Sequence, residues 1–132
     1  MDTFYFLHIP KTAGTSFMDV LDRQFEPNEI HPAKLWHALL LSEPGSIDRA
    51  RLFRGHFYNL LGEFVGRPLT TITFLRNPID RALSHYAHIM REPWHYLHAY
   101  ARELGSLEAF VRDPLTRPMI ANFQVRSLAM PM

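Results

Sequence analysis

The sequence predicts an α/β domain, a small parallel sheet in a three-layer α/β/α arrangement with a helix-rich C-terminal half. Three observations carry that reading. An apolar, β-rich segment near the N-terminus gives way to a Pro- and Gly-punctuated loop and then to a helical pattern. A later run of β-branched residues is almost continuously hydrophobic, and polar residues stand where the predicted strands end. In folds of this class ligands bind beyond the carboxyl ends of the strands.

Residues 3 to 9 (TFYFLHI) form the first predicted strand. Pro10 and Gly14 punctuate the chain, and from Thr15 the apolar positions Phe17, Val20, Leu21 and Phe25 recur at helical spacing. A second helix is expected over residues 32 to 42, closed by Glu43-Pro44-Gly45. A short strand then covers Arg51 to Arg54, with Gly55 and His56 at its end. Residues 69 to 75 (LTTITFL) read as a strand buried on both faces of a parallel sheet and ending at Arg76 and Asn77. Pro78 suits the first turn of a helix whose apolar face is Ile79, Leu83, Tyr86 and Met90. Pro93 interrupts it, and a further helix spans Trp94 to Leu104 until Gly105 stops it. Ser106 caps another over residues 106 to 112, and Met119 to Leu128 is read as helical. No repeat or linker divides the chain, so residues 1–132 are taken as a single domain.

Composition narrows the function. With 47% hydrophobic residues, including ten Phe, five Tyr and two Trp, the chain can bury a sizeable core and is not disordered. The formal charge of +1 argues against a protein that coats nucleic acid, since such domains carry a clear basic excess. Of the 14 basic residues only Lys11 and Lys34 are lysines, a bias toward the forked donor that grips oxyanions. The absence of cysteine excludes a disulfide scaffold, a thiol nucleophile and a Cys-ligated metal. The N-terminal apolar stretch is too short for a signal segment, and no apolar run approaches the roughly 18 residues of a membrane span. A cytoplasmic location is therefore expected.

Three constellations carry chemistry. The first is residues 8 to 16, HIPKTAGTS, at a strand-to-helix junction. A small-residue loop opening a helix gathers backbone N–H groups and the positive end of the helix dipole, and Lys11, Thr15 and Ser16 add a charge and two hydroxyls. It lacks the first glycine of a Walker A loop, and its lysine precedes the glycine. The bland alternative is an ordinary turn with a solvated lysine. The second is residues 74 to 86, FLRNPIDRALSHY, with Arg76 at a strand end and Arg81 on the following helix, either a second anion site or a solvated charge. The third is Arg54-Gly55-His56 at the end of the middle strand, where position alone leaves His56 open between general base and structural residue.

The pairs His85 with His88 and His95 with His98 have helical spacing but no third ligand pattern, and they read as polar-face residues rather than metal ligands. The two later strands end in Arg-Gly-His and Arg-Asn, with no carboxylate to hold magnesium, so a metal-free site is expected and a magnesium-dependent kinase is disfavoured. Lys, Arg and backbone donors suit transfer of a group bearing less charge than a phosphoryl group, such as a sulfuryl group. Trp94, Tyr96 and Tyr100 fit either a sugar-stacking surface or the core, and helical spacing favours the core.

In these motifs and their order the chain resembles the carbohydrate sulfotransferases that use 3′-phosphoadenosine 5′-phosphosulfate (PAPS), in the branch of heparan sulfate 2-O-sulfotransferase and its bacterial relatives. FLHIPKTAGTS looks like that family's 5′-phosphosulfate loop, LRNPIDRALSHY like its 3′-phosphate motif, and RGHF like the segment of the catalytic His. Asn122-Phe-Gln-Val-Arg126 is similar to a later NxQxR stretch. The resemblance implies a P-loop-like fold in which Lys11, Thr12, Ala13, Gly14, Thr15 and Ser16 embrace the 5′-phosphosulfate while Arg76 and Ser84 hold the 3′-phosphate. It implies that His56 is the general base toward a saccharide or other hydroxyl acceptor, with Lys11 stabilising the leaving group and no metal. Spacing alone does not single out Ser84. Members run further past NxQxR, so the domain is expected to be short at its C-terminus, and a homo-oligomer could cover the helical faces so exposed. The competing reading is an inert or truncated nucleotide-binding remnant that binds a partner.

Overall fold

The computed structural model describes residues 2–129. The chain forms two compact units, one of residues up to Leu75 together with those from Arg126 on, the other Arg76–Val125. Among the described residues there are three strands and eight α-helices, the mixed α/β class that the sequence predicts.

The first unit is built on the strands β1 (Phe4–Leu7), β2 (Leu52–Gly55) and β3 (Thr70–Thr73), all parallel, in the order β2-β1-β3. Its helices are α1 (Gly14–Asp22), α2 (Trp36–Leu40), α3 (Pro44–Arg49) and α4 (Leu61–Val65). Alternation along β1 sends Tyr5 and Phe6 to opposite faces. Phe6 meets Phe17 of α1 edge-on at 5.1 Å. Tyr5 lies 6.1 Å from Phe57, which contacts Trp36 of α2 at 5.3 Å, and Trp36 in turn meets Phe64 of α4 at 5.6 Å. Within this unit the sheet is therefore a middle layer, with α1 on one side and α2 and α4 on the other.

β1 is buried on both faces, its Tyr5, Phe6 and Leu7 at most 1% exposed, and β2 is buried at all four of its residues. The run 69 to 75 was the expected one, but β3 pairs with β1 alone among the described residues, and Thr70 and Thr71 are exposed. β-branched threonines suit a strand in either place, so composition could not separate centre from edge. The helix expected over residues 32 to 42 is reduced to α2. Backbone bonds from His31 N–H to the Leu52 carbonyl (2.9 Å) and from His56 N–H to the Lys34 carbonyl (2.9 Å) draw residues 31 to 34 out along β2 instead. Glu43-Pro44-Gly45 opens α3 rather than closing α2, because Pro44 takes the first helical position, where no N–H is needed. In α1 the buried positions are Gly14 and Met18, whereas Val20 faces solvent and Phe25 packs on Phe4 beyond the helix end. Residues 58 to 65, left without an expected element, form a 3-10 turn and α4.

The second unit holds α5 (Pro78–Arg91), α6 (His98–Leu104) and α7 (Leu107–Arg112) around Ile89, Leu97, Ala101 and Phe110. Asn77 caps α5 by accepting the N–H groups of Ile79 (3.0 Å) and Asp80 (3.2 Å), and Ser106 caps α7 as expected by accepting that of Ala109 (3.1 Å). Gly105 ends α6 in the left-handed conformation, φ +79°. The inward stripe of α5 is Arg81, His85 and Ile89. Ile79 and Leu83, expected inside, are exposed, while Tyr86 and Met90 border the core. α6 starts at His98 rather than Trp94, since the His95 ring accepts the Leu97 N–H (3.1 Å) and holds a turn there. The helical stretch expected from Met119 breaks at left-handed Asn122, φ +50°, and α8 runs Phe123–Ala129. Among the described residues no helix is long and apolar enough to cross a membrane.

Gly55 marks a close crossing of two backbones. A Cβ there would lie 2.7 Å from the Lys34 Cα and 2.8 Å from its carbonyl carbon, neither of which can swing away. Gly55→Ala is expected to destabilise the chain by about 1 to 3 kcal/mol, read as a lower urea midpoint with the slope unchanged.

Candidate functional site

The loop after β1 leaves the sheet at its central strand, where the order β2-β1-β3 reverses direction, the place at which open α/β sheets take ligands. Lys11 and Ala13 both adopt the left-handed conformation, φ +66° and +65°, without being glycine. Such residues cost of order 1 to 3 kcal/mol each, and the loop offsets that through Thr12, a buried residue whose hydroxyl donates to the Ile9 carbonyl at 2.6 Å. Thr12 therefore spends its hydroxyl inside the loop and offers a ligand only its backbone. Alternating left- and right-handed residues form concave nests of N–H groups. α1 follows directly, with no side chain capping it and no acidic residue in its first turn, and Thr15 and Ser16 are exposed there. Backbone donors, the Lys11 cation and two exposed hydroxyls make a fitting cradle for an anionic oxygen cluster.

Gly14 is required by its neighbour. A Cβ at this position would strike Cδ2 of the His8 ring and lie 2.6 Å from its Nε2. That ring stacks on Phe6 (5.5 Å, 19°) and on His56 (4.9 Å, 27°). The His56 Nδ1 is 2.6 Å from the His8 carbonyl oxygen. A carbonyl only accepts, so Nδ1 carries the proton and Nε2 keeps its lone pair. Burial, foremost, holds the His56 pKa below its ordinary value; the bond to the His8 carbonyl works the other way, and Lys34 reinforces the lowering. His8 is pushed down to about 4 by burial first, then by His56 and Lys34. Burial thus disfavours the charged form of both rings, and the His56 Nδ1–H bond leaves Nε2 as the ring's acceptor. Sequence reading singles out His56 but not His8, because nothing in its spacing announces a stack across 48 residues.

Arg76 and Ser84 lie in the second unit. The Arg76 side chain is exposed and its backbone is clamped by one side chain, Gln124, whose Oε1 accepts the Arg76 N–H and whose Nε2 donates to the Arg76 carbonyl, both at 2.8 Å. Gln124 is the middle residue of the NxQxR stretch, which gives that stretch a physical task. Ser84 is partly buried in the second turn of α5. Arg81 is not a solvated charge. It is 2% exposed, lies 4.2 Å over the Phe123 ring and donates to the Met119 carbonyl (3.4 Å).

Of the histidine pairs expected on polar faces, His85 instead lies on the buried stripe of α5. His85 is buried beside Arg81 (3.4 Å), and the His98 ring bonds the Ile89 carbonyl (2.8 Å). Among the described residues no group of three or more potential ligands could hold a metal ion. Trp94 and Tyr96, expected in the core, are 73% and 76% exposed, and Tyr100 is partly buried with its hydroxyl donating to Asp113 (2.7 Å).

Comparison with known families decides the class: the model described as "Sulfotransferase family" matches residues 2–106. The chain belongs to the sulfotransferase family. The match takes in the 8–16 loop, His56, Arg76 and Ser84, and ends before Asn122–Arg126. No curated protein matches the chain, and no solved structure does. Membership makes the protein a transferase of sulfuryl groups, which requires a sulfate donor and an acceptor.

Burial of neutral histidines has a consequence for stability. His85 titrates near 4 in the folded chain, chiefly through burial and then Arg81, against 6.5 ordinarily, so the folded state binds fewer protons across that window. Its contribution is complete above about pH 6.5 and is lost on acidification toward pH 4. The melting temperature is expected to fall over that interval, and His85→Gln to flatten part of the fall; a melting temperature constant from pH 6.5 to 4 contradicts this.

Proposed function

We propose that this sulfotransferase moves a sulfuryl group from PAPS to a hydroxyl of a saccharide-type acceptor, as its resemblance to the heparan sulfate 2-O branch implies. The observation that carries the reading is the His56 tautomer. Its Nδ1–H is committed to the His8 carbonyl, so its Nε2 is an acceptor beside the loop that the resemblance assigns to the 5′-phosphosulfate.

PAPS supplies an electrophilic sulfur on a good leaving group. In this mechanism His56 Nε2 takes the proton of the acceptor hydroxyl as the acceptor oxygen bonds to sulfur. Lys11 stabilises the negative charge left on the bridging oxygen as the old sulfur–oxygen bond breaks, and 3′-phosphoadenosine 5′-phosphate departs. Thr12, Ala13, Gly14, Thr15 and Ser16 hold the 5′ end through backbone donors and the two exposed hydroxyls, while Arg76 and Ser84 take the 3′-phosphate. A neutral His56 needs no separate acid, because this leaving group departs as an anion.

The test is calorimetric titration with 3′-phosphoadenosine 5′-phosphate without magnesium, against ADP, followed by turnover with a desulfated heparan oligosaccharide. Binding that prefers the 3′-phosphate is expected, with Arg76→Ala losing about 1.5 to 3 kcal/mol of it. Equal affinity for the two nucleotides would remove the 3′-phosphate assignment. His56→Ala should lower turnover by about 10²- to 10⁴-fold while donor affinity survives. Binding without any turnover would favour an inert nucleotide-binding protein.

A further inference from the structure

We propose that His8 is the positioning residue for His56, its carbonyl and its imidazole together holding the His56 ring in one plane and one tautomer. The inference rests on the reading of His56 as general base and adds the means by which that base is kept ready.

The His8 ring is held on three sides. Phe6, fully buried on β1, stacks beneath it at 5.5 Å, Gly14 of α1 approaches too closely to admit a side chain, and His56 stacks upon it at 4.9 Å. A ring confined in this way cannot change rotamer, so it passes its own fixed position to the imidazole stacked on it. Two further bonds fix the other end: the His56 Nδ1–H to the His8 carbonyl at 2.6 Å, and the His56 backbone N–H to the Lys34 carbonyl at 2.9 Å.

The electrostatics agree with this arrangement. The charged or titratable groups that face the pair are Lys34 and each imidazole toward the other. Because burial, foremost, pushes the His8 pKa down to about 4, that ring presents an uncharged aromatic face to His56 at neutral pH. When His56 takes a proton, the new cation lies over that face, a favourable contact, whereas a charged His8 would oppose it.

Long-range proton–nitrogen NMR of the imidazoles in the ligand-free full chain tests the role without any substrate. The wild-type His56 is expected to show a single tautomer, protonated at Nδ1. In His8→Ala, His56 should show a mixture of tautomers and titrate closer to 6.5, whereas His8→Phe, which keeps a flat ring that cannot titrate, should retain the single tautomer. Gly14→Ala displaces the His8 ring without removing it and should also yield the mixture, which keeps the test decisive if His8→Ala fails to fold. A single Nδ1–H tautomer with unchanged titration in either variant that displaces or removes the ring overturns the positioning role. Undiminished turnover in His56→Ala instead overturns the base assignment on which it rests, so the two failures are distinguishable.

Discussion

The register of β1 between its neighbours is the constraint on which the rest of the first unit depends. Leu7 pairs with Gly55 on one side and Thr73 on the other, so the chain leaves the sheet with His8 alongside the end of β2. Side chains alternate across a strand, so a slip of one residue would exchange Tyr5 and Phe6 between the two layers. Neither fits the other's place. The Tyr5 hydroxyl accepts the Phe57 N–H (3.2 Å) and donates to the Tyr58 carbonyl (3.0 Å), a polar pocket that a phenyl ring would leave unsatisfied, and burial pushes the phenol pKa up. Phe6 packs against the rings of Phe17, Phe74 and His8. The register is thus chosen by chemistry on both faces, and the His8–His56 stack is set by it.

How far the sequence discloses this fold depends on whether each feature is local. The β1 loop, the start of α5 at Pro78, the Ser106 cap and the Gly105 stop were legible, because a cap or a proline acts on its immediate neighbours. The helical face of α5 was misread, since Ile79 and Leu83 have the right period yet the inward stripe carries Arg81 and His85. Periodicity counts apolar residues and cannot see that a guanidinium will find a carbonyl and an aromatic face elsewhere in the chain. The edge position of β3 and the extension of residues 31 to 34 along β2 are likewise decisions of pairing across distant sequence. At the site, the loop, His56 and the NxQxR stretch were legible as motifs, while the contacts of His8 and Gln124 and the crossing over Gly55 emerged only from three-dimensional proximity.

Arg54 and Asp22 show a further economy beneath α1. The Arg54 guanidinium, on the Phe6 face of β2, meets Asp22 at 3.1 Å through a single bond, and the Arg54 Nε and Asp22 Oδ1 are buried without a partner. A half-satisfied buried pair contributes little net stability, since desolvation offsets most of its attraction. Its geometry nonetheless places a cation at the C-terminal end of α1, where the helix dipole favours one. The same helix presents its N-terminal end to the 8–16 loop.

The outer rim of β3 bears on how the molecule behaves in concentrated solution. Its four residues, Thr-Thr-Ile-Thr, carry no charge, and extended chains readily add to such a rim. Two neighbours limit that growth. Pro68 has no N–H to donate before the strand begins, and Arg76 puts a charge shortly after it ends, so an added chain finds only a short uncharged stretch between them.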